Sequence, residues 1–298
     1  MNTWLIPLTE IRPHLKQAKY GDLTQGTVFS CASASRYNGC EVHGLAITAR
    51  CDFAQRKFPV LNYVPVVELQ DWVRRDGLDI LVDQELNDQR GQLVRMLKQA
   101  QVSEALLQAV PHREIAETHF QKDEGSKAKK TAAKKFHDLV DEMEKFSLLV
   151  AADGGGDIFE WFTRERGKQV GELVRRLSRH AVLGHYFLEA LEPDTTEHKG
   201  YVCLLREVST IPRPVADKLG KGLDQSTYAK QCNNSQFGSQ LQIPEGGLAM
   251  PLIEIGSPTI EHIMQSFSNL FGRIGVADPI ETVIGKIVDS CLTHAEKD

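Results

Sequence analysis

With 298 residues, 41% of them hydrophobic and 25% charged, the chain has an ordinary globular composition and length enough for one large domain or two. A net charge of −5 excludes any global attraction to nucleic acid or anionic membrane, so such binding would have to come from a local patch. No apolar run approaches the roughly 20 residues that span a bilayer.

The opening segment, MNTWLIPLTEIRPHLKQ, lacks the basic and apolar regions of a signal peptide, so a cytoplasmic protein is expected, with no membrane partner. In that reducing compartment Cys31, Cys40, Cys51, Cys203, Cys232 and Cys291 read as free thiols, core residues or metal ligands rather than disulfides.

In chain order, residues 21–69 read as β. GDLTQGTVFSC opens with a turn, and GLAITARC and FPVLNYVPVVEL supply two further strands rich in Val, Leu and aromatics. Pro59 and Pro65 predict that the last of these is an edge strand or is interrupted, because proline cannot donate to a ladder.

From about residue 70 the period becomes helical. Leu86, Leu93, Met96, Leu97, Leu106 and Leu107 recur among polar residues, and Phe136, Leu139, Val140, Met143 and Phe146 mark an amphipathic helix. The Lys-rich segment 122–135 reads as a mobile linker, since its first half has little apolar surface to bury. After the DGGGD break at 153–157, Val170, Leu173, Val174 and Leu177 predict a helix over about 165–180.

β character returns in HYFLEAL and YVCLLREV, joined by a polar loop, and again in GLAMPLIEI. At the C-terminus Ser257 can cap a helix with Pro258 at its first position, and Ile260, Ile263, Met264, Phe267, Leu270, Phe271 and Ile274 form its apolar face. A second pattern, Ile280, Val283, Ile284, Ile287, Val288, Cys291 and Leu292, predicts a partner helix and hence a helical hairpin.

The assembly expected is α+β. Residues 1–69 and 181–256 form a discontinuous β core, a small sheet or barrel built from both halves of the chain. Residues 70–180 are a helical insertion, and 257–298 a C-terminal helical hairpin packed on the core.

Cys31-x8-Cys40-x2-His43-x7-Cys51 offers the ligand types of a structural zinc site, which would staple the loop between two strands. The competing reading makes Cys31 and Cys51 small buried hydrophobes in strands and leaves Cys40 and His43 in the loop. Cys51-Asp52 is a poor nucleophile pair: a neighbouring carboxylate raises a thiol pKa, and adjacent strand residues face opposite ways. Asp52 reads instead as the residue that turns the chain, with Arg50, Arg56 and Lys57 as a basic rim beside it.

Pro193-Asp194-x2-Glu197-x-Lys199 imitates a metal-nuclease signature, but two intervening residues do not place its carboxylates on adjacent strands, so it reads as a solvated loop. Lys127, Lys129, Lys130, Lys134 and Lys135 could contact phosphates at low salt, and the acidic face that follows, Asp138, Asp141, Glu142 and Glu144, could pair with them or with a partner helix, against the default of a solvated charge run. Asp153-Gly154-Gly155-Gly156-Asp157 lacks the lysine and helix context of a phosphate loop and reads as a turn.

GDLTQGTVF followed by GLAITARCDFAQ resembles the opening of PemK/MazF-type toxins, small SH3-like β-barrels that act as ribonucleases. That family has a Ser or Thr where this chain has Ala49-Arg50-Cys51-Asp52, and an Arg-Pro that this chain lacks. The same stretches, with SFSNLFGRIGVADP, are similar to bacterial proteins of mobile-element and anti-phage loci.

Two functions are therefore expected in order. The first is an accessory or sensor protein of a bacterial multi-component system, such as anti-phage defence, binding another protein of the same operon. The alternative is a PemK-like ribonuclease or other nucleic-acid-binding protein, contacting its ligand through Arg50, Arg56 and Lys57 and the Lys127–Lys135 cluster. No small-molecule cofactor is expected, and zinc is the one metal considered.

Overall fold

The computed structural model describes residues 15–121, 126–152, 155–192, 199–233 and 241–272. The first half runs β1 (Leu15–Gln17), β2 (Thr27–Phe29), β3 (Val42–Ala46), α1 (Arg50–Ala54), β4 (Val60–Glu68), α2 (Leu69–Val73) and α3 (Asp76–Gln99). Helices α4 (Leu106–Ala109), α5 (His112–His119), α6 (Lys127–Ala151), α7 (Gly155–Glu165) and α8 (Gly167–Ser178) complete the insertion. Then come β5 (His185–Leu188), β6 (Tyr201–Leu204), β7 (Ser209–Pro212), α9 (Arg213–Leu219), β8 (Leu223–Asp224) and α10 (Gln225–Asn233). The last are β9 (Leu248–Ala249), β10 (Pro251–Ile255) and α11 (Thr259–Phe271). The molecule is mixed α and β, with a curled antiparallel half-barrel sheet drawn from both halves of the chain.

In space the main sheet is ordered β1-β10-β2-β3-β4-β6-β5, with β7 also on β4. The expectation of an edge strand at residues 58–69 is corrected, because β4 is central. It pairs with β3 along one side, and on the other with β7 through Val60–Tyr63 and with β6 through Val66–Glu68. Ile47 N–H donates to Asn62 C=O, so strand alternation directs the backbone of residues 62, 64 and 66 toward β3. Pro65 therefore turns its nitrogen to the opposite side, into the fork between β7 and β6 where no ladder asks for a donor.

Alternation along β4 divides the interior into two cores. Leu61, Tyr63 and Val67 face Trp72, Leu81, Phe162, Leu173, Leu177 and Val215 under the helices. Val64 and Val66 face Ile253, Ile255, Ile260 and Ile263, where α11 covers the other side. Gly44 sits on the first face directly against the buried ring of Phe29, in space that a Cβ would need.

A third core lies away from the sheet. Leu93, Leu97, Ile115, Phe120, Phe136 and Val140 join the far half of α3 to α5 and α6, with Phe120 and Phe136 stacked 3.9 Å apart. At about 1.5 Å per residue, the 24 residues of α3 and 25 of α6 make an arm roughly 36 Å long. Its base is tied by Glu85, which is buried. The Glu85 carboxylate accepts from Arg166 Nε and Nη2 at 3.1 Å each, from Gln89 at 3.0 Å and from Gln169 at 3.3 Å.

The Lys-rich segment is not a linker where it is described. Lys127–Lys135 form the first turns of α6, capped by Ser126, whose hydroxyl accepts from the Lys129 N–H. Likewise Gly155–Asp157 open α7 instead of forming a turn, because the helical face Ile158, Phe162 is recruited to the main core. Asp153, Gly154, the Pro193–His198 stretch and the second helix of the expected hairpin lie outside the described residues. No helix among the described residues is long and apolar enough to cross a membrane.

Candidate functional site

The basic rim is not at a strand end. Pairing of β3 stops once the Thr48 hydroxyl, rather than a backbone carbonyl, accepts the Asn62 N–H at 2.7 Å. Residues 50–54 then wind into α1, so Arg50, Cys51 and Asp52 lie on one short helix between β3 and β4. Cys51 is exposed, which corrects the expectation of a core thiol, and Asp52 lies inside the helix where a chain-turning residue was expected. Arg50 is held 3.1 Å from Glu261 of α11. Arg56, at φ 49°, accepts from Arg213 Nη1 on its carbonyl at 2.7 Å and lines a small cavity of about 190 Å³ with Phe53, Phe58, Asp22 and Lys221. Lys57 is exposed beside it.

The four residues of the zinc reading are spread apart. Cys31 and Cys40 pack at the margin of the core beneath the helices. His43, within β3, shares the face of Leu45 instead, and its ring meets Tyr201 edge-on at 6.0 Å. Cys51 is on α1. Among the described residues no three His, Cys, Asp or Glu side chains gather to hold a metal ion. Burial raises the Cys31 and Cys40 thiols, with Asp71 adding to the effect at Cys40, and burial lowers His43 against the pull of Glu41.

The lysines do form a surface. Helical period places Lys127, Lys130, Lys134 and Lys135 on the side of α6 opposite Phe136, Val140 and Met143, all four exposed. Lys129, also exposed, lines a groove of about 680 Å³ that it shares with Met96, His119 and Phe120. Among the described residues none of the five makes an ion pair, and the first turn of α6 holds no acid. Cations at a helix N-terminus oppose the macrodipole, so this arrangement is electrostatically unfavourable in isolation.

A polar cluster at the start of α3 was not visible in sequence. Asp76, at the first position of α3, accepts from Tyr37 Oη at 2.8 Å and from Arg36 Nη1 at 2.5 Å, and lies 3.8 Å from His185 Nε2. Arg36 reaches Asp79 as well, at 2.6 Å. Burial alone would push the Asp76 carboxyl up, but bonds from His185 and Tyr37 and the Arg36 charge hold it below the usual carboxylate range. Burial and the Asp76 charge push Glu207 the other way, and burial with the Asp76 bond pushes the Tyr37 phenol far up. Beside them Trp72 Nε1 and His185 Nδ1 are buried with no hydrogen-bond partner among the described residues, their rings 5.2 Å apart.

This hub draws on the β2–β3 loop, α2, the start of α3, β5 and the turn after β6. Its carboxylates are separated in protonation behaviour, which suits acid–base work, and an N-terminal Asp on α3 also stabilises the helix itself. The only local signal for it was Trp72-Val73-Arg74-Arg75-Asp76, a charged joint between two helices.

No family model matches the chain, and neither does any curated protein or solved structure.

Proposed function

We propose that this protein is an accessory or sensor component of a bacterial multi-component system and acts in the cytoplasm by binding a partner protein encoded beside it. Anti-phage defence is the setting to which the sequence resemblance points. The observation that carries the reading is the stripe Lys127, Lys130, Lys134, Lys135 on the outer face of the arm, exposed and without an ion pair among the described residues. An acidic surface on the partner would relieve both the mutual repulsion and the opposition to the helix dipole, and would steer association. The arm has its own core, so it can present this stripe clear of the sheet.

Co-expression with the neighbouring gene products tests it. A complex that survives gel filtration at low salt should be lost when Lys127, Lys130 and Lys134 are changed to Glu. Retention of the complex by that variant, or its absence from the start, would reject the reading.

A second reading is a PemK-like ribonuclease on an SH3-like barrel. The curled antiparallel sheet and the clustering of Arg50, Arg56 and Lys57 around α1 favour it. RNA cleavage by the purified protein, insensitive to EDTA and abolished by Arg50→Ala, would establish this reading and remove the first.

A further inference from the structure

A groove of about 740 Å³ separates α7 from the joint between α2 and α3. Arg74, Arg75 and Arg164 line it with Phe159 and Thr163, and Asp71 and Glu160 are the carboxylates on its wall. Three guanidiniums stand against two carboxylates on the wall, with Glu165 paired to Arg164 just outside it, so the groove carries no net charge and its character comes from how the guanidiniums are placed.

How the arginines are held matters more than their number. Arg74 lies over the ring of Phe159, 5.3 Å from its centroid, and makes no ion pair among the described residues. The Phe159 ring occupies one side of this guanidinium, while its N–H groups stay available for an anion and its open side for a second planar group. Arg75 is fixed on three sides: Nε donates to the Arg36 carbonyl at 2.8 Å, Nη1 faces Asp71 at 3.4 Å, and the guanidinium lies 5.2 Å above Tyr37. Tyr37 is in turn held by Asp76, so the polar hub sets the position of this groove residue. Arg164 is exposed at the other bank, where its Nε donates to the Glu165 carboxylate at 2.8 Å and its two terminal nitrogens face outward from that bond.

We propose that this groove binds single-stranded nucleic acid, with an unpaired base stacked on the Arg74–Phe159 pair and the adjoining phosphates bound by Arg75 and Arg164. The ligand class follows from the combination present: a flat, aromatic-backed cation for a π-face, flanked by guanidiniums for phosphodiesters. A duplex hides its base faces and can use only the second element. A phosphoserine peptide likewise brings phosphate without a planar ring. The site is separate from the lysine stripe and does not depend on the partner reading.

The test is fluorescence anisotropy with a labelled oligouridylate of about 20 nucleotides at about 50 mM salt, beside a duplex RNA of the same length and a phosphoserine peptide as competitors. The single strand should bind more tightly than the duplex, and the peptide should compete poorly. Arg74→Ala with Arg164→Ala should weaken binding about tenfold or more, the scale of one lost stacking platform plus phosphate contacts. Glu160→Gln removes a carboxylate from the wall and should tighten binding a few-fold, a gain that misfolding cannot produce. Equal affinity for duplex, effective competition by the phosphopeptide, no binding by the unaltered protein, or indifference to all three substitutions would each overturn the assignment.

Discussion

Asp76 acts on Glu207: bonds from His185 and Tyr37 and the Arg36 charge hold the Asp76 carboxyl ionised, and its charge adds to burial in pushing Glu207 toward the acid form. The pair lies where the loop after β2, the start of α3 and the turn after β6 meet.

Their signs are opposite in stability. A lowered carboxyl contributes stability that is present above its unfolded pKa and is lost as pH falls through the folded value. A raised carboxyl works in reverse, its contribution falling away as pH rises from the unfolded to the folded value. Asp76→Asn should therefore cost about 2 kcal/mol at pH 7, the scale of hydrogen bonds to a charged group, and should flatten the acid limb of stability. Glu207→Gln should leave stability at pH 7 unchanged or slightly higher. Urea melts at several pH values check both; a marked loss from Glu207→Gln would mean that the carboxylate is needed.

Gly44→Ala should cost about 2–3 kcal/mol, because the added methyl lands on the fully buried Phe29 ring in a packed sheet and neither strand can yield. Chemical denaturation is the measurement. Phe29→Leu in the Gly44→Ala background should recover part of the loss, whereas no recovery would place the strain elsewhere.

Arg166→Ala should cost about 3 kcal/mol by leaving the Glu85 charge buried and unpaired. Adding Glu85→Leu should restore much of it, since removing both partners also removes the desolvation penalty. A double variant no more stable than Arg166→Ala alone would deny that Glu85 is the source.

His180 stacks on Tyr186 at 4.0 Å, Tyr186 Oη is 2.9 Å from His262 Nδ1, and the two imidazoles are 5.3 Å apart. Burial and the His262 charge lower the His180 pKa, so the folded state binds fewer protons than the unfolded one. Stability from this cluster is then complete above about pH 6.5 and declines as pH falls from there toward the lowered folded value. The His180→Gln variant should show a shallower decline between pH 7 and 5 in thermal melts; an unchanged slope would exonerate the cluster.

Cys51 should react with a thiol reagent in the native protein, and Cys203 only on unfolding, since the first is exposed and the second is buried with its pKa raised by that burial. Mass mapping of alkylated peptides distinguishes them, and protection of Cys51 would contradict its place on α1.

Period and composition reached the elements whose environment is simple. HYFLEAL and YVCLLREV do pair as β5 and β6, the face Phe136 to Phe146 does bury along α6, and Ile260 and Ile263 of α11 do seat in the second core. Pro65 misled because a proline forbids a donor on one side only, and a forked sheet has a side that needs none. The helix at Arg50–Ala54 was hidden because its apolar lead-in continues the strand pattern, and the capture of Asn62 by Thr48 that ends the pairing is a long-range contact. The hub was illegible for a related reason: Arg36, Tyr37, Asp76, His185 and Glu207 come from distant segments, and none has a partner at a fixed sequence offset. Chemistry assembled by topology leaves little local trace.

The two long helices of the arm belong to two cores at once, since α3 gives Leu81 to the sheet and Leu97 to the tip, while α6 gives Phe146 to the sheet and Phe136 to the tip. Mechanically this makes the arm a lever pivoting on the Glu85–Arg166 tie. A tilt of about 5° at that fulcrum swings Gln99, roughly 21 Å along α3 from Glu85, through about 2 Å, while Asp76, roughly 14 Å to the other side, moves about 1 Å. Force applied at the lysine stripe is thus delivered, reduced in travel, to the helices that floor the sheet.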